Sequence, residues 1–600
     1  MKSRRLIFSV LPAVLALALV AARPGRTQTT GNPDWRAIPS KDFPVVGGNL
    51  GNQRYSSLTA ITAANISRLG GAWMVHVTDT GNTSNLEGTP VVVDGNMYLP
   101  GAAGTILALD AATGAVKWKY QPQAAGGAGG RGGTNRGVVA AEGKVFSTGG
   151  GNNLIALDAK TGALLWTTKV GDRGTTVAPA LYCDGLVYMG VSGGEGGVRG
   201  FIGAFDAKTG KQVWGFWTIP GPGDYGHDTW EGDSWEHGGG PIWTASAIDP
   251  DLGMIYVPVG NAWPDTDGTK RGGDNLFTAS IVALDLKTGE RKWHFQEVHH
   301  DVWDYDNTAS PVLADIQFQG RTRKILIHGG KTGFLYILDR TNGTPLVGIE
   351  ERAVPQEARM KTAKTQPYPI GDSFVPTCPE PDSVPVGMKS ACVFGAYWDD
   401  PVVLAPGTLG GLSWAPMTYS PQTQLVYVPG AVTNAQFTLG GGFVRPTNEP
   451  RSGTLTAIDP TSNKIVWQKK TKFPIAAGSG LLSTASGLIF HGEPDGRLVA
   501  YDIRNGNELW SFQTGAGAEA PVITYEVNGQ QYVAILSGGS SFNLSQHGDN
   551  LWAFRLGGTL PPLATPTEPP TRQPAPAGRG AGGASGGRGG RGAAGSSGGR

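Results

Sequence analysis

Charge of either sign is scarce in this 600-residue chain: Asp, Glu, Lys and Arg make up 16% of it and balance to a formal net charge of +1. With no basic stripe or block, it carries no nucleic-acid footprint. Cysteine is scarcer still, at three residues, and no Cys-x-x-Cys-His occurs, which excludes covalent c-type haem. Past residue 20 no stretch approaches the roughly twenty consecutive apolar residues of a membrane span. Sustained helical periodicity is missing as well. What abounds is glycine (93) and tryptophan (17). Much glycine with much tryptophan, in short runs broken by turn residues, points to an all-β protein.

The N-terminus has the pattern of a targeting signal. Lys2, Arg4 and Arg5 precede an apolar run over 6–20, and the small residues Ala21 and Ala22 follow. A signal peptide over 1–22 predicts export to the periplasm, a compartment that permits disulfides. Cys378 and Cys392 sit within an irregular, Pro-rich insertion (374–397) that a covalent staple would steady, and they are expected to pair. Cys183, at the end of a strand-like run, reads as a buried free thiol.

Between residues 34 and 556 the chain repeats. Ala108-Leu109-Asp110 leads through Thr113-Gly114 to Trp118, Asp158 through Thr161-Gly162 to Trp166, and Asp206 through Thr209-Gly210 to Trp214. These three aspartates are spaced 48 residues apart, and the unit returns at Asp285, Asp339, Asp459 and Asp502. In each unit a strand ends at Asp, a turn reverses it, and a second strand follows that carries Trp in every copy but that of Asp339; a further strand pair precedes it. Four strands every 40–50 residues predict a β-propeller, here of eight four-stranded antiparallel blades with a Trp docked between neighbours. A helix-like stretch is expected at 63–69. From 557 to 600 a Pro/Thr-rich linker and a Gly/Ala/Ser/Arg tail can bury no core and read as disordered.

One stretch departs from the repeat. His299-His300-Asp301-Val302-Trp303-Asp304-Tyr305-Asp306 packs two histidines, three carboxylates and two aromatics into eight residues. In an extended segment the alternation would send Asp304 and Asp306 to one side. Adjacent carboxylates repel unless a cation or a proton lies between them. The plainer alternative is a turn whose aspartates cap backbone amides.

The opening Asn52-Gln53-Arg54-Tyr55-Ser56-Ser57-Leu58, the Trp-bearing repeats and Trp303-Asp304-Tyr305-Asp306 resemble the pyrroloquinoline quinone (PQQ) dependent dehydrogenases. This family includes methanol and other alcohol dehydrogenases and the membrane glucose dehydrogenase. The resemblance runs over roughly 34–556, with the motifs in family order. It implies that PQQ is bound by Glu87, Arg136, Thr176, Ser192, Gly193, Gly194 and Lys331, with the quinone lying flat on Trp243. A guanidinium fork suits a tricarboxylated planar cofactor. It also implies a metal held by Glu195, Asn261, Asp304 and Asp306, hard oxygen donors suited to Ca²⁺ or a lanthanide rather than Zn²⁺.

By the same resemblance Asp304 is the catalytic base for alcohol oxidation, and Lys331 is a catalytic cation beside the quinone oxygens. Asp306 leaves the metal open: lanthanide-type methanol dehydrogenases have an aspartate there, and so do glucose-dehydrogenase relatives without that dependence. Three departures from the alcohol-dehydrogenase pattern favour a roomier pocket, for a larger alcohol, a polyol or a sugar. The adjacent Cys-Cys pair would fall near Gly130-Arg131, Ser413 replaces an Asn, and a late tryptophan is missing from 473–484. With no haem motif, electrons would leave to an external acceptor such as cytochrome c or quinone, and a homodimer is one arrangement open to the chain. The competing expectation is a propeller of the outer-membrane assembly type, a scaffold with the same repeats and no cofactor.

Overall fold

A computed structural model describes residues 36–78, 85–122, 134–439, 442–446 and 449–572. The expected signal peptide and the Gly130-Arg131 position lie outside the described residues.

The repeats fold as antiparallel meanders. The first spans Val91–Val93, Asn96–Pro100, Ile106–Asp110 and Val116–Tyr120, each strand bonded to the next. Equivalent four-stranded meanders follow over 139–169, 181–217 and 247–296, then a three-stranded sheet over 312–339. Thr418–Ser420, Leu425–Val432, Ser452–Asp459 and Lys464–Thr471 form another. A further meander over 482–513 takes Tyr55–Ser56 as a parallel edge strand. The last sheet closes the body: Leu69–His76, from the start of the chain, pairs with Asn550–Leu556, followed by Gln530–Ser537 and Ile523–Val527. Between 340 and 444 an accessory hairpin and a small four-stranded sheet interrupt the series.

The repeat's chemistry is visible in its turns. Asp158 Oδ1 accepts hydrogen bonds from the Lys160 and Thr161 amides and the Thr161 hydroxyl, and the same turn forms at Asp110 and Asp206. Gly162 completes it at φ +72, pressed so closely on Trp118 that a Cβ would stand 2.7 Å from the indole ring. A side chain there would be both strained and overlapped, so glycine is required. Trp118 donates Nε1–H to the Ala159 carbonyl of the following sheet, Trp214 to Leu286, Trp293 to Arg340 and Trp467 to Ile503. Each such indole satisfies its one donor on a carbonyl of the sheet that follows.

The segment 43–57 passes between the sheets and is bonded to several of them. Leu50 and Gly51 carbonyls accept from the Ile248 and Leu313 amides. Asn52 donates to the Ser246 and Pro311 carbonyls, and Arg54 is buried with Nε donating to the Leu481 carbonyl. The Asn52-to-Leu58 motif is therefore a structural pin.

Cys378 and Cys392 form a disulfide, and Cys183 is a buried free thiol whose pKa burial pushes up to about 12. Two local expectations differ. The stretch at 63–69 forms only a 3₁₀ turn, Ile66–Arg68, before the chain enters a strand. Past Gly557 the chain is not free at once. Leu560 bridges Gly71, the Leu563 amide donates to the Gln513 carbonyl, and the Thr571 carbonyl accepts from the Arg451 amide. The body thus holds the first part of the Pro-rich linker, whose fixed dihedrals cost little entropy to lay down. The rest of the expected tail, 573–600, lies outside the described residues. Among the described residues no helix is long and apolar enough to cross a membrane.

Candidate active site

The acidic stretch lies between Arg291–Gln296 and Val312–Phe318 and belongs to neither strand. Asp304 has φ +63, so the extended alternation expected for Asp304 and Asp306 does not form. Their carboxylates still converge, by a local fold with many anchors. Asp301 Oδ1 accepts from the Trp303 and Tyr305 amides, which is the capping turn of the plainer reading, beside the charge cluster rather than instead of it. Trp303 donates to the Gly395 carbonyl, Tyr305 to Pro406 and Arg271 to the Asp301 carbonyl. His300 is buried between the Gly273 and Met360 carbonyls. It is a packing residue.

Lys331 meets this stretch from a turn two residues past Arg321–Gly329. Its Nζ donates to the Asp304 carbonyl at 2.8 Å, and lies 3.3 Å from Asp304 Oδ2 and 2.5 Å from Asp306 Oδ1. The last of these is an ion-pair contact rather than an aligned hydrogen bond. Asp306 Oδ2 accepts from Trp243 Nε1 at 3.2 Å.

The electrostatics follow from crowding in a dry place. Burial is the largest influence on Asp304 and pushes its carboxyl well above the ordinary range; Lys331 opposes this, while Asp306, Asp265 and Asp301 add to it. Asp265 is raised to about 7, by burial first and then by Glu195, Asp301 and Asp306. Asp301 is raised by burial to about 6. Burial works to lower Lys331, but Asp304 and Asp306 outweigh it and hold the ammonium charged.

A second group of side chains adjoins the first through Trp243. The Arg136 guanidinium lies 4.6 Å from the centre of the Trp243 ring and 5.2 Å from that of Trp414. It donates to Glu87 Oε2 at 2.7 Å and to the Trp243 carbonyl. Both Arg136 and Glu87 are largely buried, so this charged pair is desolvated. Thr176 is buried beside Thr148, next to a bridge between Thr175 and Ser192. From Ser192 the chain turns through Gly193 (φ +117) into the short 3₁₀ helix Gly194–Gly196. Gly194 packs on Pro241, where a Cβ would stand 2.6 Å from the ring, and so joins this turn to the loop that carries Trp243.

The expected metal donors are divided. Among the described residues Asn261 is fully buried with no partner for its Oδ1, whereas Glu195 is exposed, its charge felt at Asp265. Asp265 Oδ1 and Asp301 Oδ2 are likewise buried without partners. Among the described residues no three His, Cys, Asp or Glu side chains are gathered around one point. Yet buried orphan oxygens beside crowded carboxylates are what a hard cation satisfies. The residues present fit such an ion.

Sequence reasoning missed Asp265, Trp414 and Arg271. Trp414 follows Ser413, and both are buried. In the segment that lacks the late tryptophan the chain has Ala476, Ala477 and Gly478, and Gly478 packs on Glu519, whose Oε2 would stand 3.1 Å from an added Cβ.

The family model for the β-propeller domain of PQQ-dependent glucose, ethanol and alcohol dehydrogenases matches residues 43–441 and 433–533. The chain belongs to the PQQ-dependent dehydrogenases. A quinohemoprotein alcohol dehydrogenase of Comamonas testosteroni is 36% identical over 88% of this chain and 76% of its own length. Its crystal structure superposes with a TM-score of 0.73, at 32% identity over 88% of this chain and 82% of that one. A quinoprotein alcohol dehydrogenase of Pseudomonas putida is 31% identical over 92% of this chain and 97% of its length. A europium-containing methanol dehydrogenase superposes with a TM-score of 0.71, at 29% identity over 86% and 98% of the two chains. This PQQ-dependent dehydrogenase is thus an all-β oxidoreductase with a propeller domain, and its relatives oxidise alcohols.

Proposed function

We propose that this chain is a periplasmic quinoprotein dehydrogenase that oxidises the hydroxyl of an alcohol, a polyol or a sugar. The reading rests foremost on the contact of Lys331 with both Asp304 and Asp306 beside the Arg136–Trp243 stack. A scaffold has no use for such a set, because buried charges cost stability unless chemistry or a ligand uses them. The sheets are read as eight blades docked by tryptophan.

Glu87, Arg136, Thr176, Ser192, Gly193 and Gly194 would hold PQQ against Trp243, and Glu195, Asn261, Asp304 and Asp306 would hold Ca²⁺ or a lanthanide. When bound, PQQ supplies the two-electron acceptor and the ion a Lewis acid. With that acceptor bound, Asp304 would be the general base that takes the proton of the substrate hydroxyl. Lys331 keeps an ammonium against the Asp304 carbonyl, where it fixes the turn at φ +63 and stabilises negative charge developing nearby. The Arg136 guanidinium, held by Glu87, would neutralise a carboxylate of the cofactor. Burial of Asp301 and Asp306 keeps bulk water from screening these charges.

Ser413 and the small residues over 476–478 support a pocket for a substrate larger than methanol. The absence of Cys-x-x-Cys-His from the sequence supports an external electron acceptor, a cytochrome c or a quinone. The test is dye-linked turnover of apo-protein given PQQ with Ca²⁺ or La³⁺, across a panel of alcohols and sugars. PQQ-dependent turnover is expected; no PQQ binding under any of these conditions would favour the scaffold.

A further inference from the structure

Behind the acidic stretch lies a buried pair that the chemistry above does not use. Glu297, two residues before the stretch, and His328, three residues before Lys331, are both essentially inaccessible. His328 Nδ1 lies 2.7 Å from Glu297 Oε1, and His328 Nε2 donates to the Ala309 carbonyl at 3.0 Å. One imidazole thus touches both ends of the segment 297–309, within which Asp301, Asp304 and Asp306 lie. The Glu297 carbonyl accepts from the Tyr336 hydroxyl, and its amide donates to the Ala279 carbonyl, so the anchor is itself fixed. Among the described residues Glu297 Oε2 has no partner, and it stands 3.1 Å from where a Cβ on Gly330 would fall, one residue before Lys331.

We propose that Glu297 and His328 are a positioning pair that sets the register between the loop of Asp304 and the turn of Lys331. The loop has no strand partner of its own, so its shape depends on side-chain anchors. Most of these tie its middle to the accessory segments. The Glu297–His328–Ala309 bridge alone among the contacts described here ties both of its ends to the strand that leads into Lys331. Since Nε2 faces a carbonyl, it carries a proton. The second proton is shared between Nδ1 and Glu297, so the pair is neutral as a unit. A glutamine at 297 can donate to Nδ1 of a neutral His328 and keep both bonds. An alanine or a methionine cannot.

This inference rests on the dehydrogenase reading, so wild-type PQQ binding and PQQ-dependent turnover are measured first; their failure defeats that reading and not the pair. With them in place, Glu297→Ala and the volume-conserving Glu297→Met are compared with Glu297→Gln in PQQ-reconstituted enzyme. Three quantities are read: kcat and KM for the alcohol, the PQQ Kd by titration, and the thermal midpoint. We expect kcat to fall about tenfold or more in the Ala and Met variants, as for misplaced reacting groups. KM and PQQ Kd should hold within about twofold, and Glu297→Gln should recover most of kcat. Wild-type kcat in Glu297→Met would overturn the proposal. So would Glu297→Gln as slow as Glu297→Met, or a loss of kcat matched by equal losses in PQQ affinity and thermal midpoint, the mark of a purely structural role.

Discussion

Lys331 holds Asp304 by its backbone as well as by its carboxylate: Nζ is 2.8 Å from the carbonyl oxygen and 3.3 Å from Oδ2. A single ammonium therefore sets both the conformation of the expected base and the potential around it. Asp304→Asn keeps the backbone contact and the shape but cannot accept the hydroxyl proton. The variant should bind PQQ as wild type does while turnover falls by at least about a hundredfold. Near-normal turnover would remove Asp304 from the role of base.

Asp306 contributes a second carboxylate to the same cluster, in contact with Lys331 and Trp243. A trivalent ion depends more on anionic ligands than a divalent one does. Asp306→Ala should lower La³⁺-supported turnover at least about tenfold more than Ca²⁺-supported turnover. Equal losses with the two ions would count against a lanthanide-specific ligand.

Arg136 pairs with Glu87 and covers Trp243. Arg136→Ala removes charge-assisted bonds worth about 1.5–3 kcal/mol each, so PQQ Kd should rise roughly tenfold to a hundredfold. Turnover at saturating PQQ should change less. An unaltered Kd by fluorescence titration would dissociate Arg136 from cofactor binding.

Burial raises the Glu519 carboxyl to about 8 and that of Glu493 to about 7, each from an ordinary 4.5. The folded state thus binds these protons more tightly than the unfolded chain. The stability they confer is complete below about pH 4 and is lost as pH rises through about 7 to 8. The apo-protein's thermal midpoint should therefore fall from pH 5 to pH 9, and Glu519→Gln should flatten the upper part of that slope. An identical slope in the variant would show that Glu519 does not titrate in this range.

The disulfide between Cys378 and Cys392 closes a loop across a sequence separation of 14. By loop entropy its removal costs about 3 kcal/mol. Replacing both cysteines by serine should lower the thermal midpoint by a few degrees while PQQ affinity is retained. Loss of PQQ binding would mean that the insertion supports the site directly.

Much of this was legible in the chain. The Asp-Thr-Gly…Trp units mark the meanders because turn chemistry and the Trp contact are local and recur at fixed spacing. The disulfide was legible from the insertion around it. Among site residues, Asp304, Asp306, Lys331, Arg136, Glu87 and Trp243 were marked by motif, and the structure brings them into two adjoining groups. Asp265 carries no local signal, since the charges of Asp301 and Asp306 that act on it come from chain remote in sequence. Glu297 and His328 are equally silent: 31 residues apart, they meet only because neighbouring segments pack back to back.

The sequence by itself determined the repeat, its turns and the inventory of carboxylates, because these depend on residue type and on spacing within a few positions. The tertiary structure decided which carboxylates share a cation, which are dry and which partner each takes. Asp304 is turned out of the extended form by anchors to its loop from Lys331, Gly395, Pro406 and Arg271, each at least 27 residues away along the chain from the residue it holds. Electrostatic energy depends on distance and burial, and both are set only when segments far apart in the chain close on one another.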